Sequence, residues 1–387
     1  MTRVAFLPGD GIGREVLPAA RTVLEAAGFK PEWVELPVGW DEWRRNGDAL
    51  PAATVAAMRK TEAAFFGAIT SKGPAEAQKE LAPTLQGKGL LYASPILRLR
   101  KIFDLSTNIR PTRTFEGNPN NLRGAVDMVV FRENTEDVYA EVEAHPTPAT
   151  LVDAWRHAGA RAEDLPAPGP DTAMTARVIT RKRTEAIVRA AFDYAAKNKR
   201  RGVTLLEKAN VMRKTGGLVL ETFRTVAAQF PKIDSEELQI DAACALCVRD
   251  PRRFDVVVAT NLFGDIFSDL AAEVAGGLGL APSANIGAKY AIFEPVHGSA
   301  PDIAGKGIAN PVAAILTGAL LARHLGEAAV ADRIESAVSS WFKTGPFTAD
   351  LGGTARTLEA AQGIMRILHE PRLRANTATN VMKKGAL

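Results

Sequence analysis

Short apolar runs alternate along the chain with longer stretches in which apolar residues recur at helical spacing. The runs predict buried strands, some of them β-branched as in parallel sheets, at Val4–Leu7, Phe65–Ile69, Ala125–Arg132, Val203–Leu206 and Val256–Ala259. The helical spacing predicts helices at Arg14–Ala27, Arg181–Lys197, Gly216–Gln229, Ile266–Ala275 and Ala313–Leu325, the last of them an almost wholly apolar core helix. This alternation predicts an α/β fold.

Residues 143–174 differ from their surroundings because they are rich in alanine and proline. Their pattern predicts a helix flanked by loops, inserted between the regular elements. We expect an insertion of this length to serve a function or to make a subunit contact.

The composition narrows the class of protein. The chain has 387 residues, of which 46% are hydrophobic, so it can bury the core of more than one lobe. Its net charge of +4 comes from scattered lysines and arginines, so we expect no nucleic-acid partner and a field that suits a small anion. No apolar run approaches the roughly 18 residues of a membrane helix, and we expect no secretory signal in the first residues.

The two cysteines, Cys244 and Cys247, stand in the apolar segment C-A-L-C. One C-x-x-C without a second pair makes a poor zinc site, and the apolar surroundings favour two buried, unreactive thiols. Because a framework of disulfides is excluded, the sequence favours a cytoplasmic location.

A pair of acids, Asp265 and Asp269, lies in the segment N-L-F-G-D-I-F-S-D. On a helix their carboxylates share one face and repel each other. They are either helix acids stabilised by the macrodipole or ligands of a hard divalent cation, for which Asp241 offers a third carboxylate. Because none of the five histidines is spaced with these acids, Mg²⁺ or Mn²⁺ fits such a site better than zinc.

Several arginines fall close together in the segments that follow Leu97. A substrate with more than one carboxylate suits such a group, because each guanidinium can grip an anion with two hydrogen bonds. The candidates are Arg98, Arg100, Arg110 and Arg132, with Tyr139 after them. Lys208 follows the strand Val203–Leu206, at the sheet edge where α/β sites form. Taken singly, each of these arginines is more typical of a solvated surface, and Lys208 taken alone also fits a surface lysine.

Five segments occur in one order along the chain: LRKIFDLSTNIRP, FRENTEDVY, EKANVM, NLFGDIFSDLAAEVAGGLGLAPSANIG and HGSAPDIAGKGIANP. Together with GDGIGREV at the start and FTADLGGTART near the end, they resemble the family of decarboxylating β-hydroxyacid dehydrogenases. That family includes the isocitrate, 3-isopropylmalate, homoisocitrate and D-malate/tartrate dehydrogenases. The resemblance covers nearly the whole chain.

The resemblance implies a two-lobed α/β fold with a discontinuous large domain, and a homodimer. It places the large domain at residues 1–105 and 276–387, the small domain at 106–136 and 181–275, and a clasp-like insert with dimer contacts at 137–180. The segment Gly9–Gly13 reads G-x-G-x-G rather than G-x-G-x-x-G, so the fold is not expected to be a true Rossmann fold. The resemblance puts this opening loop beside the active-site cleft.

The resemblance also implies a role for each candidate. The substrate would be bound by Ser94, Arg100, Arg110, Arg132 and Asn210. The Mg²⁺ or Mn²⁺ ion would be bound by Asp241, Asp265 and Asp269. Lys208 with Asp241, both supplied by the partner subunit, would take the hydroxyl proton, and Tyr139 would return a proton to the enol. A regulatory subunit without catalysis would be expected to lack one of these groups, and all are present.

A cofactor loop is implied at His297, Gly298, Ser299, Ala300, Asp302, Ile303 and Asn310. Asp302 and Ile303 stand where the NADP-using isocitrate enzymes carry lysine and tyrosine. Ala349 and Gly353 stand where those enzymes carry tyrosine and arginine. Because a carboxylate accepts hydrogen bonds from ribose hydroxyls and repels a 2′-phosphate, the sequence favours NAD.

The sequence leaves the substrate open. Ser94, Asn134 and the long insert favour isocitrate, which we expect first. Ile96 stands where isocitrate enzymes commonly carry asparagine and favours a longer or more apolar acid, and Arg98 could reach the distal carboxylate of such an acid. The alternatives are therefore homoisocitrate, 3-isopropylmalate and D-malate or tartrate.

Overall fold

The computed structural model of the chain describes residues 2–369. Its strands in that range are β1 (Arg3–Gly9), β2 (Glu32–Glu35), β3 (Ala63–Ala68), β4 (Thr107–Arg113), β5 (Asp127–Glu133), β6 (Glu143–Ala144), β7 (Met174–Thr175), β8 (Gly202–Glu207), β9 (Asp234–Gln239), β10 (Val256–Ala259), β11 (Pro282–Ile286) and β12 (Ala291–Pro295). Its α-helices there are α1 (Gly13–Ala26), α2 (Trp40–Asn46), α3 (Ala52–Met58), α4 (Pro74–Lys79), α5 (Pro95–Ile102), α6 (Ala149–His157), α7 (Arg181–Lys197), α8 (Arg213–Ala227), α9 (Ile240–Arg249), α10 (Asn261–Val274), α11 (Val312–His324), α12 (Ala328–Trp341) and α13 (Thr357–His369). The predicted α/β class is confirmed.

One sheet of ten strands runs through the molecule in the order β2-β1-β3-β12-β11-β4-β5-β10-β8-β9. Its two outer parts are parallel: β1 pairs with β2 and β3 on one side, and β5, β10, β8 and β9 follow each other on the other side. In the middle, β11 pairs antiparallel with β12 and β4, and β4 pairs antiparallel with β5. The apolar runs predicted β1, β3, β5, β8 and β10, but they did not predict the edge strands β2 and β9 or the central strands β4, β11 and β12.

Helices cover both faces of the two outer parts. Around β1 and β3, one core packs against α1, α11, α12 and α13, and another packs against α3 and α5. Around β5, β8 and β10, one core packs against α7 and α8, and another packs against α9 and α10. The predicted domain boundaries stay a prediction, because one sheet runs through both halves of the molecule. The predicted large domain also extends past residue 369, outside the described residues.

Helix α10 begins at Asn261, five residues before the predicted start at Ile266. Its first turn includes Gly264, where a Cβ atom would come within 2.7 Å of Arg132 Cγ. Only a residue without a side chain allows the helix to pass this arginine so closely. The early start places Asp265 and Asp269 one turn apart within the helix.

The insert holds the expected helix between loops, because α6 lies between the short antiparallel strands β6 and β7. Cys247 is buried and Cys244 is half-buried, both as free thiols. Burial raises the pKa of Cys247 to about 12 and also raises the pKa of Cys244, as expected of unreactive thiols. Among the helices of residues 2–369, none has the length and apolar character needed to cross a membrane.

Candidate active site

The three antiparallel strands in the middle of the sheet carry polar side chains on one face. On β4, the buried residues Asn108 and Arg110 alternate with Ile109, and on β11 and β12 the same face presents Asn285 and Glu294. Successive side chains of a strand point to opposite faces. The polar face therefore lies between the half of the molecule that carries α5 and the half that carries α10.

Arg110 joins this face to α10. Its Nε donates to Asn108 Oδ1 at 2.8 Å, and its Nη1 donates to Ser268 Oγ and to Asp269 Oδ1, each at 2.8 Å. Its Nη2 lies 3.2 Å from Asp265 Oδ1. One guanidinium therefore contacts both acids of the pair.

Arg132, the one arginine of β5, also binds α10. Its Nε donates to the backbone oxygen and to Oδ1 of Asn261 at 3.0 Å, and its Nη1 forms an ion pair with Asp265. Burial, together with the charges of Arg110 and Arg100, lowers the pKa of Arg132 to about 9. Three guanidiniums are thus close enough to repel one another, and such a cluster attracts anions.

The two acids of α10 sit in different electrostatic surroundings. Burial acts to raise the pKa of Asp265, but Arg132 and Arg110 outweigh burial and hold this pKa below its usual value. Burial raises the pKa of Asp269, which Arg110 only partly offsets. Because Asp265 belongs to the second turn of its helix and is bound by two arginines, the macrodipole does not account for this pair.

Tyr139 completes the cluster. It lies in a single turn of 3₁₀-helix at Val138–Ala140, after β5, and its hydroxyl donates to Asp265 Oδ2 at 2.5 Å. Burial, and then this hydrogen bond, raise the pKa of Tyr139. The phenol is therefore protonated at neutral pH and can act as a proton donor.

A buried chain of polar groups connects two of the candidate arginines. Arg110 binds Asn108, Asn108 Nδ2 donates to Asn285 Oδ1 at 3.0 Å, and Asn285 Nδ2 donates to Glu294 Oε1 at 2.8 Å. Glu294 in turn accepts from Arg100 Nη2 at 3.3 Å, and Arg100 Nε is buried without a hydrogen-bond partner among the described residues.

Our interpretation of the sequence missed Asn108, Asn285 and Glu294. The only signal for them is the spacing of polar residues two apart, as in N-I-R at Asn108–Arg110. A chain of this kind holds the long arginine side chains in place, so it prepares the site for a charged substrate.

Lys208 and Asp241 form a second pair. Lys208 follows β8 and Asp241 begins α9, and Lys208 Nζ lies 2.6 Å from Asp241 Oδ1. The hydrogen bond from Lys208 holds the pKa of Asp241 below its usual value. Among residues 2–369 no group of three His, Cys, Asp or Glu side chains could hold a metal ion, so a single copy of this part of the chain does not bring Asp241 to Asp265 and Asp269.

Four further residues are the remaining candidates for contacts with the substrate. Ser94 precedes α5 and forms no side-chain cap for it, so its hydroxyl is available to a ligand, and Asn210 is exposed two residues after Lys208. Arg98 is bound to Asp48, so this conformation does not extend it toward a substrate. Ile96 is half-buried and packs against the core beneath α5.

The predicted cofactor loop packs on the opening glycine segment. Ile12 N donates to the backbone oxygen of Ser299 at 2.9 Å, and a Cβ atom at Gly11, whose φ is 50°, would come within 2.0 Å of that oxygen. The glycines of the opening segment thus allow close packing of backbone on backbone. This observation explains why their spacing departs from the dinucleotide motif.

Within the loop, His297 Nε2 is buried and has no hydrogen-bond partner among the described residues. Burial lowers the pKa of His297, so its ring is neutral at pH 7 and has one nitrogen left for a ligand. Asp302 is exposed, Ile303 packs against the core, and Asn310 is buried and donates to Asp350 Oδ2 at 2.9 Å.

A groove of about 440 Å³ lies on the other face of the central strands. Ile109, Ala284 and Phe293 line its floor, and α7, α11 and α12 contribute to its walls. It contains none of the predicted site residues. The groups suited to proton transfer and carboxylate binding thus gather on the opposite, polar face.

Comparisons with known proteins identify the family of the chain. The family model of isocitrate/isopropylmalate dehydrogenase matches residues 3–366. An isocitrate/homoisocitrate dehydrogenase of Thermus thermophilus is 43% identical over 366 residues, covering 95% of this chain and 98% of the relative. A 3-isopropylmalate dehydrogenase of Archaeoglobus fulgidus is 42% identical over 368 residues, covering 95% of this chain and 100% of the relative.

Among solved structures, the isocitrate dehydrogenase of Methylococcus capsulatus superposes with a TM-score of 0.82 at 38% identity, covering 95% of this chain and 99% of that one. The expected dehydrogenase-like α/β fold is thereby confirmed. The chain belongs to the isocitrate/isopropylmalate dehydrogenase family.

Proposed function

We propose that the chain catalyses the NAD-dependent and divalent-metal-dependent oxidative decarboxylation of a 2-hydroxy-3-carboxy acid, with isocitrate as the first candidate. The proposal rests on one observation: Arg110, Arg132 and Tyr139 all converge on Asp265. Cationic anchors for carboxylates, a protonated phenol and an ionised carboxylate are the groups that this reaction requires.

The residues present fit the two absent groups. Mg²⁺ or Mn²⁺ would be held by the carboxylate oxygens of Asp265 and Asp269 with Asp241 of the partner subunit, since hard cations prefer oxygen ligands. NAD would be bound by the loop from His297 to Asn310, where His297 Nε2 is buried without a partner. When bound, NAD supplies the hydride acceptor and the cation supplies Lewis-acid polarisation of the substrate oxygen.

The chain's own residues bind the substrate and transfer its protons. Arg100, Arg110 and Arg132 bind and orient the substrate carboxylates, and the hydroxyl of Ser94 contacts the distal end. Lys208 of the partner subunit, with Asp241 of the partner subunit, takes the hydroxyl proton as the alcohol is oxidised. After CO₂ has left, Tyr139 donates the proton that converts the enol to the product ketone.

This assignment requires a homodimer. Within one copy, Lys208 is bound to Asp241 and not to the cluster around Asp265. Two copies related by a two-fold axis would complete two equivalent sites, each with its own Tyr139 and the partner's Lys208. A cytoplasmic location remains a prediction that rests on the two free thiols.

Homoisocitrate is the second candidate substrate. The relative from Thermus thermophilus is named for both isocitrate and homoisocitrate. Because a pocket gains only about 1–3 kcal/mol for one methylene, one site can accept both acids. 3-Isopropylmalate and D-malate or tartrate remain further members of the test series.

The deciding experiment ranks these acids by kcat/KM with Mg²⁺, using NAD and NADP in parallel. We expect isocitrate to lead and NAD to be preferred, because Asp302 is exposed where a 2′-phosphate would approach. If 3-isopropylmalate leads isocitrate tenfold, about 1.4 kcal/mol, the substrate assignment is wrong. A preference for NADP would overturn the cofactor assignment, and turnover of no acid would overturn the proposed function.

A further inference from the structure

We infer that Arg177 is a positioning residue that fixes both proton carriers, Tyr139 and Lys208, through a single guanidinium. The inference rests on the proposed function for the roles of these two residues. Arg177 lies near the end of the predicted insert, between β7 and α7, outside every motif that the sequence suggested. Its side chain is 12% exposed, although it is charged.

The guanidinium of Arg177 has an acceptor for each of its nitrogens. Its Nε donates to Asp137 Oδ1 at 3.0 Å, and its Nη1 donates to Thr215 Oγ1 at 3.1 Å. Its Nη2 donates to Glu207 Oε2 at 3.1 Å and to Thr260 Oγ1 at 3.0 Å. Glu207 is the last residue of β8, Thr260 directly follows β10, and Asp137 follows β5 by four residues. Arg177 therefore ties together the segments at the carboxyl ends of three parallel strands.

The contact with Asp137 holds the turn that carries Tyr139. Asp137 has a φ of 69°, a conformation that residues with a side chain rarely adopt. Its backbone N donates to Val178 O at 2.8 Å, and its carboxylate accepts from Leu262 N at 3.2 Å as well as from Arg177. Tyr139 follows two residues later, so its direction depends on this conformation being kept.

The contact with Glu207 holds the backbone of Lys208. Glu207 is buried, and while its Oε2 accepts from Arg177, its Oε1 accepts from Lys208 N at 2.9 Å. The contact with Thr260 acts on the cluster itself, because Thr260 immediately precedes α10, the helix that carries Asp265. One guanidinium thus sets the starting points of the three segments that bear the proposed chemistry.

Arg200 provides a matched control at the opposite ends of the same strands. Its Nη2 donates to Asp127 Oδ1 at 2.8 Å and its Nη1 donates to Asp255 Oδ1 at 3.0 Å, at the beginnings of β5 and β10. Its side chain is 20% exposed. Arg200 therefore ties strands together as Arg177 does, but its contacts are at the ends of the strands remote from Tyr139 and Lys208.

The first test compares Arg177→Lys and Arg200→Lys by amide hydrogen exchange in the full-length protein. Lysine keeps the charge that the buried Asp137 and Glu207 require, so the variant is expected to fold. We expect faster exchange in residues 137–141 and 208–212 for Arg177→Lys but not for Arg200→Lys. Unchanged exchange in these two segments would overturn the inference, whatever the activity.

The second test measures kcat and KM separately for the same variants. We expect Arg177→Lys to lower kcat by about 10- to 100-fold, because small misplacements of catalytic groups are costly, while KM changes by less than about twofold. Arg177→Met should lower kcat further than Arg177→Lys does, because lysine keeps the positive charge and methionine does not. Arg200→Lys should leave both constants within about twofold.

An equal loss of kcat in Arg177→Lys and Arg200→Lys, or a rise in KM as large as the fall in kcat, would overturn the inference. A wild-type enzyme that oxidises none of the acids would instead refute the proposed function. In that case the exchange measurement would still decide whether Arg177 positions the two segments.

Discussion

Two regions of the chain carry acid–base groups, and their surroundings are opposite. Around Asp265, two buried arginines and Tyr139 enclose a carboxylate whose side chain is 30% exposed. At the other region, Lys208 pairs with an Asp241 side chain that is 65% exposed. The first region is an electrostatic cluster within one copy of the chain, whereas in the second the carboxylate of Asp241 is open to water and Lys208 is partly covered.

The difference in exposure determines how strongly the charges of each region interact. Charges in a buried cluster interact strongly because little water screens them. An ion pair with an exposed carboxylate, such as Lys208 with Asp241, contributes little to stability because water screens it. Four predictions test this comparison, beginning with the largest expected effect.

Removing the charge of Asp265 should have the largest effect. We expect Asp265→Asn to cost about 3–5 kcal/mol of transition-state stabilisation, as lost charge stabilisers do, because both the cation and the arginines lose their shared partner. The measurement is kcat/KM with isocitrate, NAD and Mg²⁺.

Glu273→Gln is the control for this change, since Glu273 is an exposed acid on the same helix. It should behave as the wild type. Chelation by EDTA should abolish wild-type turnover, and Mg²⁺ or Mn²⁺ should restore it. Full activity in EDTA would contradict the metal assignment.

Changing one proton carrier from each region should separate the two stages of the reaction. Lys208→Met should slow the oxidation itself, by about 10²- to 10⁴-fold, as expected of a lost general base. Tyr139→Phe should leave part of the hydride transfer and slow the protonation of the enol. NADH formation and product formation are measured side by side, and wild-type oxidation rates in both variants would refute these roles.

Mixed dimers test whether the two regions meet across subunits. A dimer of one Tyr139→Phe chain and one Lys208→Met chain would contain one intact site, if each site uses its own Tyr139 and the partner's Lys208. We expect such a dimer to recover about half of the wild-type kcat, since one of two equivalent sites is whole. Two tags on the chains allow its purification. If the mixed dimer stays as inactive as the parent variants, both residues serve the site of their own chain.

The smallest effect concerns acid stability. The folded-state pKa of Asp265 lies below its usual value of 3.8, so its contribution to stability is complete above that pH and is lost as the pH falls toward the folded pKa. The measurement is the unfolding midpoint as a function of pH, in EDTA. We expect Asp265→Asn to make this midpoint depend less on pH on the acid side of the curve. Asp241→Asn should flatten it less because water screens this exposed carboxylate, and an equal effect would contradict the comparison.

The amino-acid sequence by itself predicted five strands of the outer parts of the sheet, β1, β3, β5, β8 and β10, and five of the ten helices that cover them. Their apolar runs and helical spacing report burial directly, because a strand or helix packed on one core carries its own pattern. The sequence also indicated the arginines by their closeness along the chain and the acids by their spacing of four residues, and the family resemblance implied their roles. For Arg110, Arg132, Tyr139 and Asp265, the tertiary structure brings the named residues together.

The tertiary structure alone decided how the middle of the sheet is built. β4 and β11 carry polar residues on a buried face and lack the apolar run that marks a strand. Only the neighbouring strands show that Asn108 and Asn285 hydrogen-bond to each other. The tertiary structure also decided the contacts of Arg98, which is bound to the distant Asp48, and of Arg177, whose four acceptors come from four separate segments. Contacts between residues far apart in sequence leave no local pattern, because their energy depends on which elements the fold places side by side.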